Sequence, residues 1–321
     1  MLRRRTSRLG SHRRGTGPSQ LRSPLTAGQL RRRGRRWLGL LLTLAFALTL
    51  GACAAAVVAM ATGTSPKHAA RKRASRAVAH PPGPRRSHGI SSPDPAAAFR
   101  AVDRALAYTP FVSAGVPRRR VIALTFDDGP SPYTPEIVRV LVRMHAPATF
   151  FVVGQQLDYF AAGLRDEIRH GFVIGDHTEN HAWLIRLSGS AQFAQIHQAA
   201  VRIRSLGASF PRLFRPPYGS YDARTLAILR ELHMLMVLWS VDPRDWLRPG
   251  ARVIAERVLS AARPGTIVEM HDGGGDRSQT AAALPAIING LRRRHYQLVT
   301  VPELVRIDPP PRRQHLPQLS E

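Results

Sequence analysis

From Val121 onward, short apolar runs alternate with longer amphipathic stretches. The runs are Val121–Phe126, Ala148–Val153, Phe172–Ile174, Leu213–Arg215, Leu235–Trp239, Thr266–Met270 and Gln297–Val301. Each is too short for a helix and is bounded by turn-forming or polar residues, so each predicts a strand. Between them, Pro135–Met144, Leu164–Arg169, Ala191–Leu206, Ala223–Leu232, Ala251–Ala262 and Thr280–Arg293 carry the amphipathic character of surface helices. Such strand–helix alternation predicts an α/β fold, a parallel sheet with its helices outside. About seven units in roughly 190 residues fit a barrel smaller than the eight-fold one, with its chemistry at the C-terminal strand ends.

Upstream the pattern changes. Trp37–Thr62 carries no charge and is long enough to cross a bilayer as a helix, which takes ~20 apolar residues. Residues 1–36 hold 12 Arg and no acid, which keeps that end cytoplasmic and places the rest of the chain outside. The run is longer than the ~7–15-residue core of a cleaved signal, so an uncleaved anchor is expected. Residues 63–116, rich in Pro, Ser, Ala, Arg and His, read as a basic disordered linker with a short helix in "PDPAAAFRAVDRALAYTP". The compact domain is expected over 117–306 and an extended tail over 307–321. Cys53 is the single cysteine, which excludes an intrachain disulfide. It sits in "LGAC", similar to a lipoprotein cleavage box, but apolar residues continue beyond it and argue against lipidation.

The net charge of +26 would suggest a nucleic-acid partner, but it is unevenly spread. Residues 1–100 hold 20 of the 47 Lys+Arg and one of the 21 acids, so about +19 belongs to the leader and linker. The Arg block suits anionic inner-leaflet lipids. No nucleic-acid partner is expected, and the protein is expected to be a monomer.

The predicted strand ends carry an unusual set of residues. The first ends in Asp127-Asp128 of "TFDDGP", and the third is followed by "GDHTENH", with His177 and His181. The fourth ends at Arg215 of "FRPPYG", the fifth leads to Asp242, Asp245 and Trp246 of "VDPRDW", and the sixth to His271 of "MHDGGGD". On a helical turn, the four-residue spacing of His177 and His181 would put both on one face. Two imidazoles and one Asp can hold a metal with a position left open. Singly, each acid or histidine reads as an ordinary strand cap; five titratable strand ends together point to a site.

"TFDDGP", "HTENH", "RPPYG", "DPRDW" and "IVEMHD", in this order, resemble the motifs of the polysaccharide deacetylase family, the NodB-homology domain of carbohydrate esterase family four. The resemblance covers about Arg119–Arg306. It implies a distorted (β/α)7-type barrel and metal-dependent removal of N- or O-acetyl groups from carbohydrate polymers, often with zinc; cobalt or manganese also suit the ligand set. It implies Asp128, His177 and His181 as metal ligands, Asp127 as general base and His271 as general acid. Arg215 would hold the base and Asp245 tune the acid. Trp246 would line the pocket, and the Tyr218 backbone N–H would help hold an oxyanion. Non-catalytic carbohydrate-binding relatives lose the base, the acid or a ligand; here every one is present.

The chemistry stands without the family. An amide needs a polarised carbonyl, a base for the attacking water and an acid for the leaving amine. Arg215 near Asp127 would keep that carboxylate ionised, and Asp245 near His271 would keep the imidazole protonated. Two positions depart from the family pattern. Asp176 replaces a common Asn and is expected to orient an imidazole. Glu269 stands where Leu usually packs against the acetyl methyl and, two residues from His271, shares its face. An anchor and linker keep the domain near membrane and wall, so peptidoglycan is the first substrate expected, then chitin-like or exported polysaccharides.

Overall fold

The computed structural model describes residues 94–314. The segments 1–36, 37–62 and 63–93 and the last residues of the tail lie outside the described residues, and with them the expected anchor and Cys53. No helix among the described residues is long and apolar enough to cross a membrane.

Among the described residues eight strands form one sheet: β1 Phe111–Val112, β2 Val121–Gly129, β3 Thr149–Val152, β4 Val173–Asp176, β5 Leu213–Phe214, β6 Leu235–Val237, β7 Thr266–His271 and β8 Gln297–Val299. Their order is β1-β6-β5-β4-β3-β2-β7, with β8 also paired to β2, and every strand pairing is parallel. The sheet curls into an open barrel. β6 and β7 never pair as strands; the segment after β6 bridges them, with Ser240 N–H donating to Ile267 O at 3.0 Å and Glu269 N–H to Val241 O at 2.9 Å.

Eight α-helices among the described residues accompany the strands: α1 Pro95–Leu106, α2 Thr134–Arg143, α3 Leu157–Arg169, α4 Gly189–Ser205, α5 Ala223–Glu231, α6 Ala251–Ala261, α7 Ser278–Arg293 and α8 Val301–Ile307. All seven expected strands and all six expected helices are present. The strand β1 and the helix α8 were not anticipated. α8 has a legible signal, for Thr300 caps the Glu303 N–H and Pro302 stands in the first turn.

Period two along β2 explains the layers. Ile122, Leu124 and Phe126 face outward and pack with α2, α6 and α7, together with Val268 and Met270 of β7. Val121 and Ala123 face inward and join Phe151, Leu213, Val237 and Ile267 in the barrel interior. α1 and α8 cover the base of that interior through Ala101, Val102, Ala105, Val301, Leu304 and Val305. The folded body therefore starts well before Pro117: residues 95–112, expected in the linker, bury apolar side chains here. The start of the tail is also tied down, since Asp308 accepts from Arg119 N–H at 2.9 Å and Tyr108 donates its hydroxyl to Pro310 O at 3.0 Å.

Candidate active site

At the C-terminal ends of the strands lies a cavity of about 820 Å³ whose lining includes Asp127, Asp128, His177, His181, Glu269 and His271. Asp242, Tyr218, Trp246, Trp183, Leu238 and Trp239 complete much of its wall. The barrel brings every predicted site residue to this one place, with Arg215 and Asp245 buried directly behind it.

The two neighbouring acids reach the cavity by different routes. In β2 the inward positions continue through Thr125 to Asp127, so Asp128 would point outward in a regular strand. The register against β3 shifts here: Asp127 pairs with Phe151 and Gly129 with Val152, leaving Asp128 as the extra residue of a bulge. Its φ of 72° is in the left-handed region, which Asp enters more readily than most residues. β2 therefore runs through both acids rather than stopping at Phe126, and the bulge, inside the strand, turns the second acid inward. The loop after β7 presses against it. A Cβ on Gly273 would stand 2.0 Å from Asp128 O, so only glycine fits.

His177 and His181 do not share a helical turn. Both lie in an irregular loop after β4, with Thr178 and His181 at φ 69° and 58°. The loop still sets the two rings 5.0 Å apart, centroid to centroid. His177 Nδ1 lies 2.7 Å from Arg215 O. A carbonyl only accepts, so Nδ1 carries the proton and Nε2 of the neutral ring presents a lone pair. Asp176 does not orient either imidazole; its carboxyl, pushed well above the usual range by burial, accepts instead from Thr178 N–H at 2.8 Å. His181 Nδ1 is met by the Tyr218 hydroxyl at 3.1 Å.

Both free Nε2 atoms converge on one oxygen. His181 Nε2 is 3.0 Å and His177 Nε2 3.5 Å from Asp128 Oδ1. That oxygen is buried and makes no hydrogen bond. Burial alone would raise the Asp128 pKa, but the facing imidazoles hold it well below the usual carboxylate range. A carboxylate oxygen facing two ring nitrogens is a donor set that fits a divalent cation, whose binding takes the place of any proton held between them. A second acid–histidine group, Asp127, Glu269 and His271, also lies close together. It suits a cation less well, because the Arg215 guanidinium already sits on Asp127 and Asp245 holds the His271 ring.

Arg215 is fully buried. Its Nη1 donates to Asp127 Oδ1 and to Thr125 Oγ1, both at 2.7 Å, and its Nε to Val237 O at 3.1 Å. The guanidinium stacks on Phe151, 4.2 Å from the ring centre. Asp127 Oδ2 is left toward the ligand set, 3.9 Å from His177 Nε2.

Across the cavity, His271 ends β7 beside its register partner Asp127. Its Nδ1 meets Asp245 Oδ1 at 2.7 Å, and its backbone N–H donates to Asp245 Oδ2 at 2.9 Å. Thr280 donates to the same Oδ2 at 2.7 Å. Burial opposes charge on His271, yet Asp245, with Asp128 and Glu269 behind it, raises the imidazole well above its ordinary range. Asp242 caps its own loop by accepting from Arg244 N–H at 2.6 Å. Tyr218, at φ 58°, donates its N–H to no other backbone group among the described residues. Burial and the charge of Asp127 push the Glu269 carboxyl well above the usual range.

The sequence reading missed Thr125 and Thr280, which fix Arg215 and Asp245, and Trp183, which stacks on Tyr218 with ring centres 4.5 Å apart. Thr125 was findable as the inward position before Asp127; Trp183 lies in a loop without periodicity.

The profile of the polysaccharide deacetylase family matches residues 114–237. The chain is 39% identical over 202 residues to a peptidoglycan-N-acetylglucosamine deacetylase of Bacillus cereus, covering 62% of this chain and 94% of that one. It is 38% identical over 198 residues to a chitooligosaccharide deacetylase of a Bradyrhizobium species, covering 58% and 90%. Among solved structures, the Bc1960 peptidoglycan N-acetylglucosamine deacetylase is similar at TM-score 0.59 and 31% identity, over 61% of this chain and 92% of that one. The chain is an α/β-barrel hydrolase and belongs to the polysaccharide deacetylase family, whose members are in general metal-dependent.

Proposed function

We propose that this enzyme removes N-acetyl groups from a GlcNAc-containing polymer, peptidoglycan first, with O-acetyl groups and chitin-like or exported polysaccharides as further candidates. The relatives' substrates support this choice. The observation that carries it is the convergence of His177 and His181 on the unpartnered Asp128 oxygen, flanked by a carboxylate and an imidazole on separate strands. Asp128, His177 and His181 would hold the cation, with zinc the first choice for one oxygen and two nitrogen ligands. Such a cation supplies Lewis acidity, polarising an acyl carbonyl and making a coordinated water more acidic.

The chain's own residues do the proton work. Asp127 accepts the water's proton at Oδ2, while Arg215 fixes Oδ1. His271, charged through Asp245, gives its Nε2 proton to the leaving nitrogen. The Tyr218 N–H stabilises the developing oxyanion, and Trp246 with the Trp183–Tyr218 stack flanks the sugar. The domain is proposed to work outside the cytoplasm, tethered by residues 37–62. This location rests on the apolar run and the Arg block before it.

The test is acetate release by the zinc-loaded full-length chain from N-acetylglucosamine oligomers, peptidoglycan fragments and O-acetylated polymers. Release from one class, lost in Asp127→Asn and His177→Ala, is expected. No acetate from any of them would overturn the reading.

A further inference from the structure

The floor of the cavity is a carboxyl. Asp127 and His271 are register partners across β2 and β7, and Thr125 with Glu269 is the next inward pair below them. Beneath that pair come Ala123 and Ile267, which belong to the closed apolar interior. Glu269 therefore stands at the level where the polar cavity ends. A carboxyl oxygen of Glu269, an oxygen of Asp127 and a ring nitrogen of His271 all lie within 4.8 Å of one another.

Glu269 is 7% exposed, lines the cavity, and has no hydrogen-bond partner for its carboxyl among the described residues. The Arg215 Nη1, Thr125 and His271 Nδ1 donors near it are committed elsewhere, and the His271 Nε2 proton is the one the reaction spends. Arg215 Nη1 serves Asp127 and Thr125, Thr125 donates to Val268 O at 2.7 Å, and His271 Nδ1 serves Asp245.

A polymer can approach only from the open mouth, so its acyl substituent is the part that descends. With the scissile carbonyl between the ligand set and His271, the far carbon of the acyl group faces the floor. A methyl there would leave a buried carboxyl without a partner, which is costly. A hydroxyl on that carbon would give the carboxyl a hydrogen bond in either of its protonation states.

We propose that Glu269 is a specificity-determining residue that selects N-hydroxyacetyl (glycolyl) over N-acetyl groups on the polymer. The proposal rests on the deacylase reading above. The reaction is the same hydrolysis: the amide C–N bond breaks, water supplies the new C–O bond, and glycolate leaves a free amine that takes the His271 proton. No redox step is involved.

The test compares kcat/KM of the zinc-loaded full-length chain on N-glycolyl- and N-acetylglucosamine oligomers of equal length, for the parent, Glu269→Leu and Glu269→Gln. The parent is expected to prefer the glycolyl substrate by about tenfold or more, as sites built around a substrate hydroxyl discriminate strongly. Glu269→Leu is expected to reverse the preference, with glycolyl turnover falling relative to acetyl turnover. Glu269→Gln, which still accepts a hydrogen bond, is expected to keep it even if the Leu variant folds poorly. A parent that prefers acetyl, or a ratio unchanged in Glu269→Leu, would overturn the proposal and leave the deacetylase reading standing. Release of neither acid by the parent would overturn both.

Discussion

The two walls of the cavity are built in opposite ways. On the β2–β4 wall the functional residues themselves occupy unusual backbone. Asp128 and His181 are left-handed, as is Tyr218, which touches His181. On the β7 wall His271 sits on regular strand; the left-handed residues are Arg244 and Arg248, which flank the short turn carrying Asp245. The charges differ in the same sense. On the β7 wall the proton-carrying group closes on itself, because Asp245 spends its carboxylate on His271 and Thr280. The β2–β4 wall leaves Asp128 Oδ1 facing two ring nitrogens without a bond. The closed His271–Asp245 group is the one assigned to proton delivery; the open Asp128 oxygen is the one suited to a ligand from outside. Non-glycine residues at positive φ cost ~1–3 kcal/mol each, and on the β2–β4 wall Asp128 and His181 are among those that carry this cost.

The largest effect should come from breaking the β2–β4 wall. Asp128→Ala is expected to lower deacetylation by about 10³-fold or more, since carbonyl polarisation is worth several kcal/mol. Steady-state acetate release checks this; loss below tenfold would show that the wall is not the ligand set. Arg215→Ala strips a buried partner from Asp127 and should destabilise the fold by about 3–5 kcal/mol, read as a lowered denaturant midpoint. An unchanged midpoint would mean that the pair is not buried as described.

Asp245→Asn tests the closed His271–Asp245 group. His271 has a raised pKa, so it stays protonated until pH climbs well past the ordinary imidazole value of about 6.5. The parent should therefore lose activity only on the far side of that value as pH rises. Without the Asp245 charge the alkaline limb should move toward lower pH, and turnover at neutrality should fall by about 10²-fold. An unmoved limb in the pH–rate profile would remove Asp245 from the proton path. The smallest effect is expected for Tyr218→Phe, which deletes the hydroxyl at His181 Nδ1. Zinc affinity should weaken by about tenfold, measured by competition with a chelator, while the alkaline limb stays in place.

The same contrast separates what was legible in the sequence from what was not. Apolar period and turn residues sufficed for seven of the eight described strands and for the list of groups at their ends, because buried parallel strands must be apolar and must stop at polar residues; the two-residue β1 was too short to show a pattern. On the β7 wall period two put Glu269 and His271 on one face, while the role of Asp245 came from the family resemblance and Thr280 was not foreseen. The β2–β4 wall did not. Adjacent Asp127 and Asp128 belong on opposite faces in a regular strand, and only register against β3 reveals the bulge. The four-residue spacing of His177 and His181 suggested a helix. The loop is instead fixed by non-local backbone bonds, Gly154 N–H to Thr178 O at 2.9 Å and Gln155 N–H to Glu179 O at 2.7 Å. The early start of the folded body was hidden too, since the apolar face of α1 gains meaning only from α8, some two hundred residues later.

In the proposed mechanism neighbouring acids on one bulged strand divide the work, Asp128 holding the cation and Asp127 taking the proton. Zinc-binding isotherms of full-length Asp127→Asn and Asp128→Ala, run beside the parent, test it most directly. Asp127→Asn should bind one zinc as the parent does while releasing no acetate, and Asp128→Ala should lose the zinc. Equal zinc loss in both variants, or full binding in Asp128→Ala, would contradict the division.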